Sequence, residues 1–213
     1  MSSGKLDIGH YGITRDSLPH IDMGRIDPRE WFPDPGKPFE IEIGSGKGTF
    51  LVAQAPLKPA TNFLGIEWAA EYFRLAADRI RRHGLENVRI LHDDASEFFH
   101  WRMPDSIAEV IHLYFPDPWP KKRHHKRRIV QKRFLEDCHR VLLPAGELRI
   151  VTDHADYWAW MKERFAECED LFTQTPFEKP GSAGEDEVVG TNFERKYRRE
   201  GRPFNAVTLK RKP

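Results

Sequence analysis

From Phe39 onward, short apolar runs alternate with helical patterns five times in succession, and few architectures accommodate that alternation. The runs are FEIEI, NFLGIE, NVRILH, IAEVIHLYF and GELRIVT. They are followed in turn by TFLVAQA, AAEYFRLAADRIRRH, ASEFF, QKRFLEDCHRVL and DYWAWMKERFAE. Strands separated by helices are joined by crossovers, so they pair in parallel and lie beneath helices on both faces. The second helical segment places Tyr72, Phe73, Ala76, Ala77 and Ile80 on one face, and the fourth does so with Phe134, Leu135, Cys138, Val141 and Leu142. Stripes of that width suit the covering of a sheet. After Ala166 the pattern loosens, and LFTQT and AVTLK read as an antiparallel pair at the sheet's edge. The expected fold is α/β: a doubly wound, mostly parallel, seven-stranded sheet with an antiparallel C-terminal edge. Between the last two strands, PGSAGEDEVVG has the composition of a mobile loop. Residues 1–38 lack periodicity and end in PDPGKP, so they read as an arm of uncertain order preceding one domain, 39–213.

At 213 residues the chain is long enough for one enzyme-sized domain with a sizeable core. No apolar run approaches the roughly 20 residues needed to span a bilayer. The opening MSSGKLDIGHYG lacks the basic and apolar regions of a signal peptide. Cys138 and Cys168, each in a stretch that reads as helix, are expected to be reduced thiols. A soluble, cytoplasmic protein is expected. The net charge of +1 conceals strong segregation: residues 121–133 hold eight Lys or Arg and no acid, and 195–212 hold eight with one acid, Glu200. Two basic surfaces on an acidic body suit a polyanionic partner.

The first strand runs into Glu42-Ile43-Gly44-Ser45-Gly46-Lys47-Gly48-Thr49, and three ligand classes compete for such a loop. A phosphate-cradling P-loop requires glycine where Ile41 stands and a hydroxyl residue at Gly48, so it fails. A dinucleotide fingerprint requires glycine at Thr49, although Glu67 is placed as a ribose-binding acid would be. S-adenosylmethionine has no phosphate but carries a ribose, an adenine and an amino-acid end with a sulfonium. Carboxylates at successive strand tips suit it, and Glu42, Glu67 and Asp94 supply them beside Gly44 and Gly46. Asp94 also fits the N-cap of the short helix after it.

The fourth strand ends in Tyr114-Phe115-Pro116-Asp117-Pro118-Trp119-Pro120, followed at once by KKRHHKRR. Three prolines around an acid and a tryptophan fix an extended turn that holds Asp117 at the mouth of the crevice. A rigid carboxylate beside a planar ring and a basic patch is suited to holding a base and its phosphates. An ordinary aspartate turn, a core-edge tryptophan and a solvated helix start remain the generic readings of the three parts taken singly.

This segment resembles the signature of the bacterial tRNA (guanine-N7)-methyltransferases. The likeness extends over EIGSGKG, NFLGIEW, Asp94-Ala95, TDHADY at 152–157 and TNFERKYRREG at 191–201. It implies a Rossmann-like class I methyltransferase acting on a guanine of the tRNA variable loop, position 46, with S-adenosylmethionine as methyl donor and no metal. By that resemblance Glu42, Gly44, Gly46, Glu67, Asp94 and Asp117 contact the cofactor, and Asp117 is the catalytic acid. Lys121, Asp153, Thr191, Asn192, Phe193 and Glu194 contact the tRNA substrate, and Arg123, His124, His125, Lys126, Arg127 and Arg128 the RNA backbone. Residues 1–38 depart from the family in lacking an arginine-rich opening. No obligate protein partner is implied, and the chain is expected to be a monomer or homodimer. Three alternatives stay open at this point: a methyltransferase acting on an exocyclic amine, a nicotinamide-dependent oxidoreductase, and a non-catalytic RNA-binding protein. His124, His125, His139 and Cys138 show no recognisable metal-ligand spacing.

Overall fold

In the computed structural model, which describes residues 6–213, the strands are β1 (Gly12–Thr14), β2 (Phe39–Ile43), β3 (Asn62–Ile66), β4 (Val88–His92), β5 (Ala108–Tyr114), β6 (Leu142–Thr152), β7 (Phe172–Thr175) and β8 (Asn205–Arg211). The helices are α1 (Thr49–Gln54), α2 (Ala70–Arg82), α3 (Ala95–Trp101), α4 (Lys132–Val141), α5 (Ala155–Ala166) and α6 (Asn192–Arg199). All strands form one sheet in the order β1-β4-β3-β2-β5-β6-β8-β7, with β8 antiparallel to β6 and β7 and every other pairing parallel. The seven expected strands and the antiparallel edge are present, and an eighth strand comes from the stretch read as an arm.

Every residue of β2 and β3 is buried, as helices on both faces require. Strand alternation divides the layers. Phe39, Ile41, Ile43, Ile111 and Leu113 join a core completed by Phe98 of α3, Leu135 of α4 and Met161 of α5. The opposite face packs Phe63, Val88 and Ile90 beneath Phe50 and Leu51 of α1 and Phe73, Ala76 and Ile80 of α2. Burying each large apolar side chain contributes roughly 1.5–3 kcal/mol. Tyr72 departs from the expected stripe: it is 39% exposed at the start of α2, with the Lys47 ammonium over its ring. Cys168 lies in the turn beyond α5 rather than on a helix, and both cysteines are buried in the core.

Buried Arg89 explains why residues 6–38 lie on the domain. Its guanidinium sits between the rings of Tyr11 and Phe32 and donates to the Trp31 carbonyl at 2.9 Å. Asn62 holds the Asp34 carbonyl at 2.8 Å, while β1 pairs along β4. The first five residues of the expected arm fall outside the described residues. Among the described residues, no helix is long and apolar enough to cross a membrane.

Candidate active site

The strand order reverses between β2 and β5, so successive crossovers diverge and leave a crevice beyond the carboxyl ends of the strands. A cleft of about 730 Å3 opens there, lined from β2, β3, β4 and β5 by Gly44, Glu67, Asp94 and Asp117 among others. Gly44 and Gly46 have φ of +76° and +53°, a region that side chains disfavour. A Cβ at Gly44 would meet no atom within 4 Å, so the space beside the loop is open.

The acids differ in their situation. Glu67 accepts the N–H of Gly46 at 2.7 Å and of Ala69 at 2.8 Å, holding the glycine loop against the turn after β3. Glu42 is buried and does not line the cleft, and its Oε2 has no hydrogen-bond partner. Burial, with the negative Glu67 nearby, pushes its carboxyl up to about 8 against the opposing Ser45 hydrogen bond. Asp94 caps α3 by accepting the Glu97 N–H at 3.0 Å while still facing the cleft. Asp93, which the sequence pattern does not single out, also lines the cleft; it is buried, lies 3.6 Å from Arg15, and burial raises its pKa. Trp68 and Tyr72 add exposed rings to the same wall. The signal for Trp68 is its place directly after the β3 acid.

Asp117 is exposed on the turn between Pro116 and Pro118. Phe115 and Trp119, which bracket this turn, have φ of +53° and +42°, strained for non-glycine residues. Phe115 is wedged between Tyr197 and Phe204, at ring separations of 5.8 and 5.5 Å. The basic run continues as a 3-10 turn, Lys122–Arg127. Lys121, Lys122, Arg123, Lys126 and Arg127 are exposed, and Arg127 lies over the Trp119 ring at 5.0 Å. Of this run only Lys126, Arg127 and Arg128 line the cleft. His124 is half-buried against Trp119, and His125 packs edge-on to Trp160 with its Nε2 buried and unpartnered. Arg128, which the resemblance assigns to the RNA backbone, has a buried side chain bonded to the Pro118 carbonyl and paired with Asp156.

The TNFE stretch begins α6, a helix absent from the expected elements although Thr191-x-x-Glu194 has the spacing of a capping box. Thr191 accepts the Glu194 N–H at 3.1 Å. Glu194 is wholly buried and receives the N–H groups of Val188, Val189 and Gly190 at 2.6, 2.8 and 2.9 Å, together with Arg198. It clasps the preceding loop from inside, and the 178–190 segment expected to be mobile is anchored by it, with Val189 in the core. Asn192 donates to Thr49 at 2.8 Å, tying α6 to α1. Phe193 alone of the four reaches the cleft, beside Gly46. Asp153 lies outside the cleft lining and is paired with Arg202 at 2.6 Å.

The family model described as "Putative methyltransferase" matches residues 36–207. The tRNA (guanine-N(7)-)-methyltransferase of Nitrobacter hamburgensis is 38% identical over 200 residues, 90% of this chain and 76% of that protein. Its counterpart in Rhizobium johnstonii is 34% identical over 200 residues, 90% and 83% of the two. Against the Corynebacterium diphtheriae enzyme of the same name, 38% identical over 154 residues, the match spans 72% of this chain and 60% of the relative's length. Among solved structures, the precorrin-6y C5,15-methyltransferase of Geobacter metallireducens superposes with a TM-score of 0.56 at 13% identity, covering 81% of this chain and 79% of that one. An rRNA methylase of Streptococcus thermophilus gives 0.52 at 14%, covering 83% and 88%. At such identities these structures show the fold alone, that of class I methyltransferases. The matched residues include the glycine loop, the proline-bracketed acid and the basic turn of this chain, and with these identities and coverages the chain belongs to the tRNA (guanine-N(7)-)-methyltransferase family.

Proposed function

We propose that the chain transfers the methyl group of S-adenosylmethionine to N7 of guanine 46 in the variable loop of tRNA, in the cytoplasm. The observation that carries this reading is the joining, in one cleft, of the glycine loop, the exposed Asp117 and the outward-facing Lys126 and Arg127.

The residues present fit the cofactor. Glu67 and Asp94 put acceptors on the wall, the unpartnered Oε2 of Glu42 lies buried beside the loop, and open space adjoins Gly44. A ligand with an ammonium and ribose hydroxyls suits such acceptors better than a phosphate would. Glu42, Gly44, Gly46, Glu67 and Asp94 would hold it, with Asp117 at its reacting end. When bound, S-adenosylmethionine supplies a methyl group already activated by its sulfonium.

N7 of guanine has an in-plane lone pair and no proton, so the reaction requires no general base and positioning supplies most of the acceleration. Asp117, rigid between two prolines, accepts hydrogen bonds from the Watson–Crick edge of the base. Its charge also offsets the positive charge that develops on the purine. Phe193 offers a ring at the mouth of the cleft on which a nucleotide can stack. Lys121, Lys122, Arg123, Lys126 and Arg127 face solvent and meet the RNA backbone.

Nucleoside analysis of tRNA incubated with the protein and labelled S-adenosylmethionine tests the proposal. The expected product is 7-methylguanosine, which is cationic. A neutral N-methylamine product would identify an exocyclic-amine enzyme, and tRNA binding without methylation a non-catalytic RNA-binding protein.

A further inference from the structure

One arginine of the basic run faces inward. Arg128 is 2% exposed, whereas Lys126 and Arg127 before it are solvent-facing. Its guanidinium lies over the rings of Tyr157 and Trp160 of α5, at 4.9 and 5.3 Å. Nε donates to the Pro118 carbonyl at 2.8 Å, and a terminal nitrogen donates to Asp156 at the start of α5. The chain just beyond is fastened to the same helix: Val130 donates to the Tyr157 hydroxyl at 3.2 Å, and its carbonyl accepts Trp160 Nε1 at 2.8 Å. Nε and one terminal nitrogen of this guanidinium are thereby engaged within the domain.

What the side chain grips is the carbonyl of Pro118, the residue directly after Asp117. That turn lies between Phe115 and Trp119, both in left-handed conformations that persist only where the surroundings over-determine them. Phe115 is fixed from one side by Tyr197 and Phe204. On the other side, Arg128 connects the Pro118 carbonyl to α5. A planar fork that bonds in two directions while stacked on rings is work for which lysine cannot substitute.

We propose that Arg128 is a positioning residue for methyl transfer: it ties the Asp117 turn to α5 and makes no contact with the RNA backbone. The inference rests on the function proposed above and specifies how its acid is placed.

The test measures kcat, KM for tRNA, the salt dependence of tRNA binding and thermal unfolding for the full chain and three variants. Arg128→Lys keeps the charge but loses the fork; it is expected to lower kcat on the order of tenfold or more, since small misplacements of a reacting group are costly. Its log–log salt slope should equal that of the unaltered protein. Asp156→Asn, a change at an exposed partner, should lower kcat in the same direction. Arg127→Ala, by contrast, should raise KM and lower the salt slope by about 1. Arg128→Lys with unchanged kcat, raised KM and a reduced slope would overturn the proposal. So would a loss explained wholly by the unfolded fraction, with kcat per folded molecule unchanged. If Arg128→Lys fails to fold, Asp156→Asn decides: unchanged kcat overturns the proposal. Absence of 7-methylguanosine with the unaltered protein rejects the functional reading itself, which separates that failure from a failure of the role of Arg128.

Discussion

Replacing Glu42 by Gln is expected to change stability with a sign set by pH. The Glu42 carboxyl titrates at about 8 in the folded chain against an ordinary 4.5. Between those values the folded state keeps a proton that the unfolded chain has released. The stabilising contribution is therefore complete below pH 4.5 and is lost as the pH rises towards 8. At 1.36 kcal/mol per pH unit, the loss is under about 1 kcal/mol at pH 5 and about 4 kcal/mol at pH 8. Gln cannot ionise and escapes this loss, but its amide meets the partnerless site of Oε2 at a pH-independent cost of about 1–3 kcal/mol. The variant should thus be neutral or less stable at pH 5 and more stable, by about 1–3 kcal/mol, at pH 8. The difference between the two conditions, roughly 3 kcal/mol, does not depend on the amide cost. Glu40, buried but drawn down to about 2 by His112 and Lys58, is common to both proteins and cancels. Urea denaturation of the cofactor-free proteins across this pH range measures the effect, and S-adenosylhomocysteine titration of the same samples should show weakened binding by the variant. Stability curves that run parallel, separated by a constant offset, would show that Glu42 does not hold its proton in the folded chain over this range.

Other perturbations separate RNA capture from scaffold. Alanine at Lys122, Arg123, Lys126 and Arg127 together should weaken tRNA binding and lower its log–log salt slope by about 1 for each phosphate no longer neutralised; an unchanged slope would remove these residues from the interface. Glu194→Ala leaves three backbone N–H groups and Arg198 without their acceptor. It should cost about 3 kcal/mol in denaturation and speed proteolysis within 178–190, and a cost below about 1 kcal/mol would contradict the clasp. Gly65→Ala sets a Cβ 2.5 Å from Ser45 Oγ and 2.7 Å from Leu51 Cδ1. It should destabilise by about 1–3 kcal/mol and displace the glycine loop, read as reduced affinity for S-adenosylhomocysteine.

The sheet was legible because burial on both faces leaves a run such as FEIEI no other stable use, and because helices must cover what the strands expose. Its glycine loop and proline turn were equally plain, since both depend on residue types that restrict or free the backbone. Side-chain direction was not. Arg127 and Arg128 are adjacent and of one type, yet one lies over an indole at the surface and the other is buried against α5. What distinguishes them is α5, distant in sequence, whose Asp156, Tyr157 and Trp160 receive only Arg128 of the two. Glu194 shows the same limit: its carboxylate oxygens face three N–H groups of a loop whose composition alone suggested mobility. Tyr72 sits at a core-facing spacing on α2, but the crevice beyond β3 removes the layer it would have packed against. The strand Gly12–Thr14 was missed because three residues carry no period, and its pairing with β4 depends on contacts made elsewhere by Tyr11 and Arg89.

In the proposed reaction Asp117 is the acid that orients the guanine and offsets its developing charge. The most direct test is turnover of tRNA to 7-methylguanosine by Asp117→Ala, with S-adenosylhomocysteine affinity measured on the same preparation. Loss of product with cofactor affinity largely intact is the predicted result. Near-unaltered turnover by that variant would contradict it.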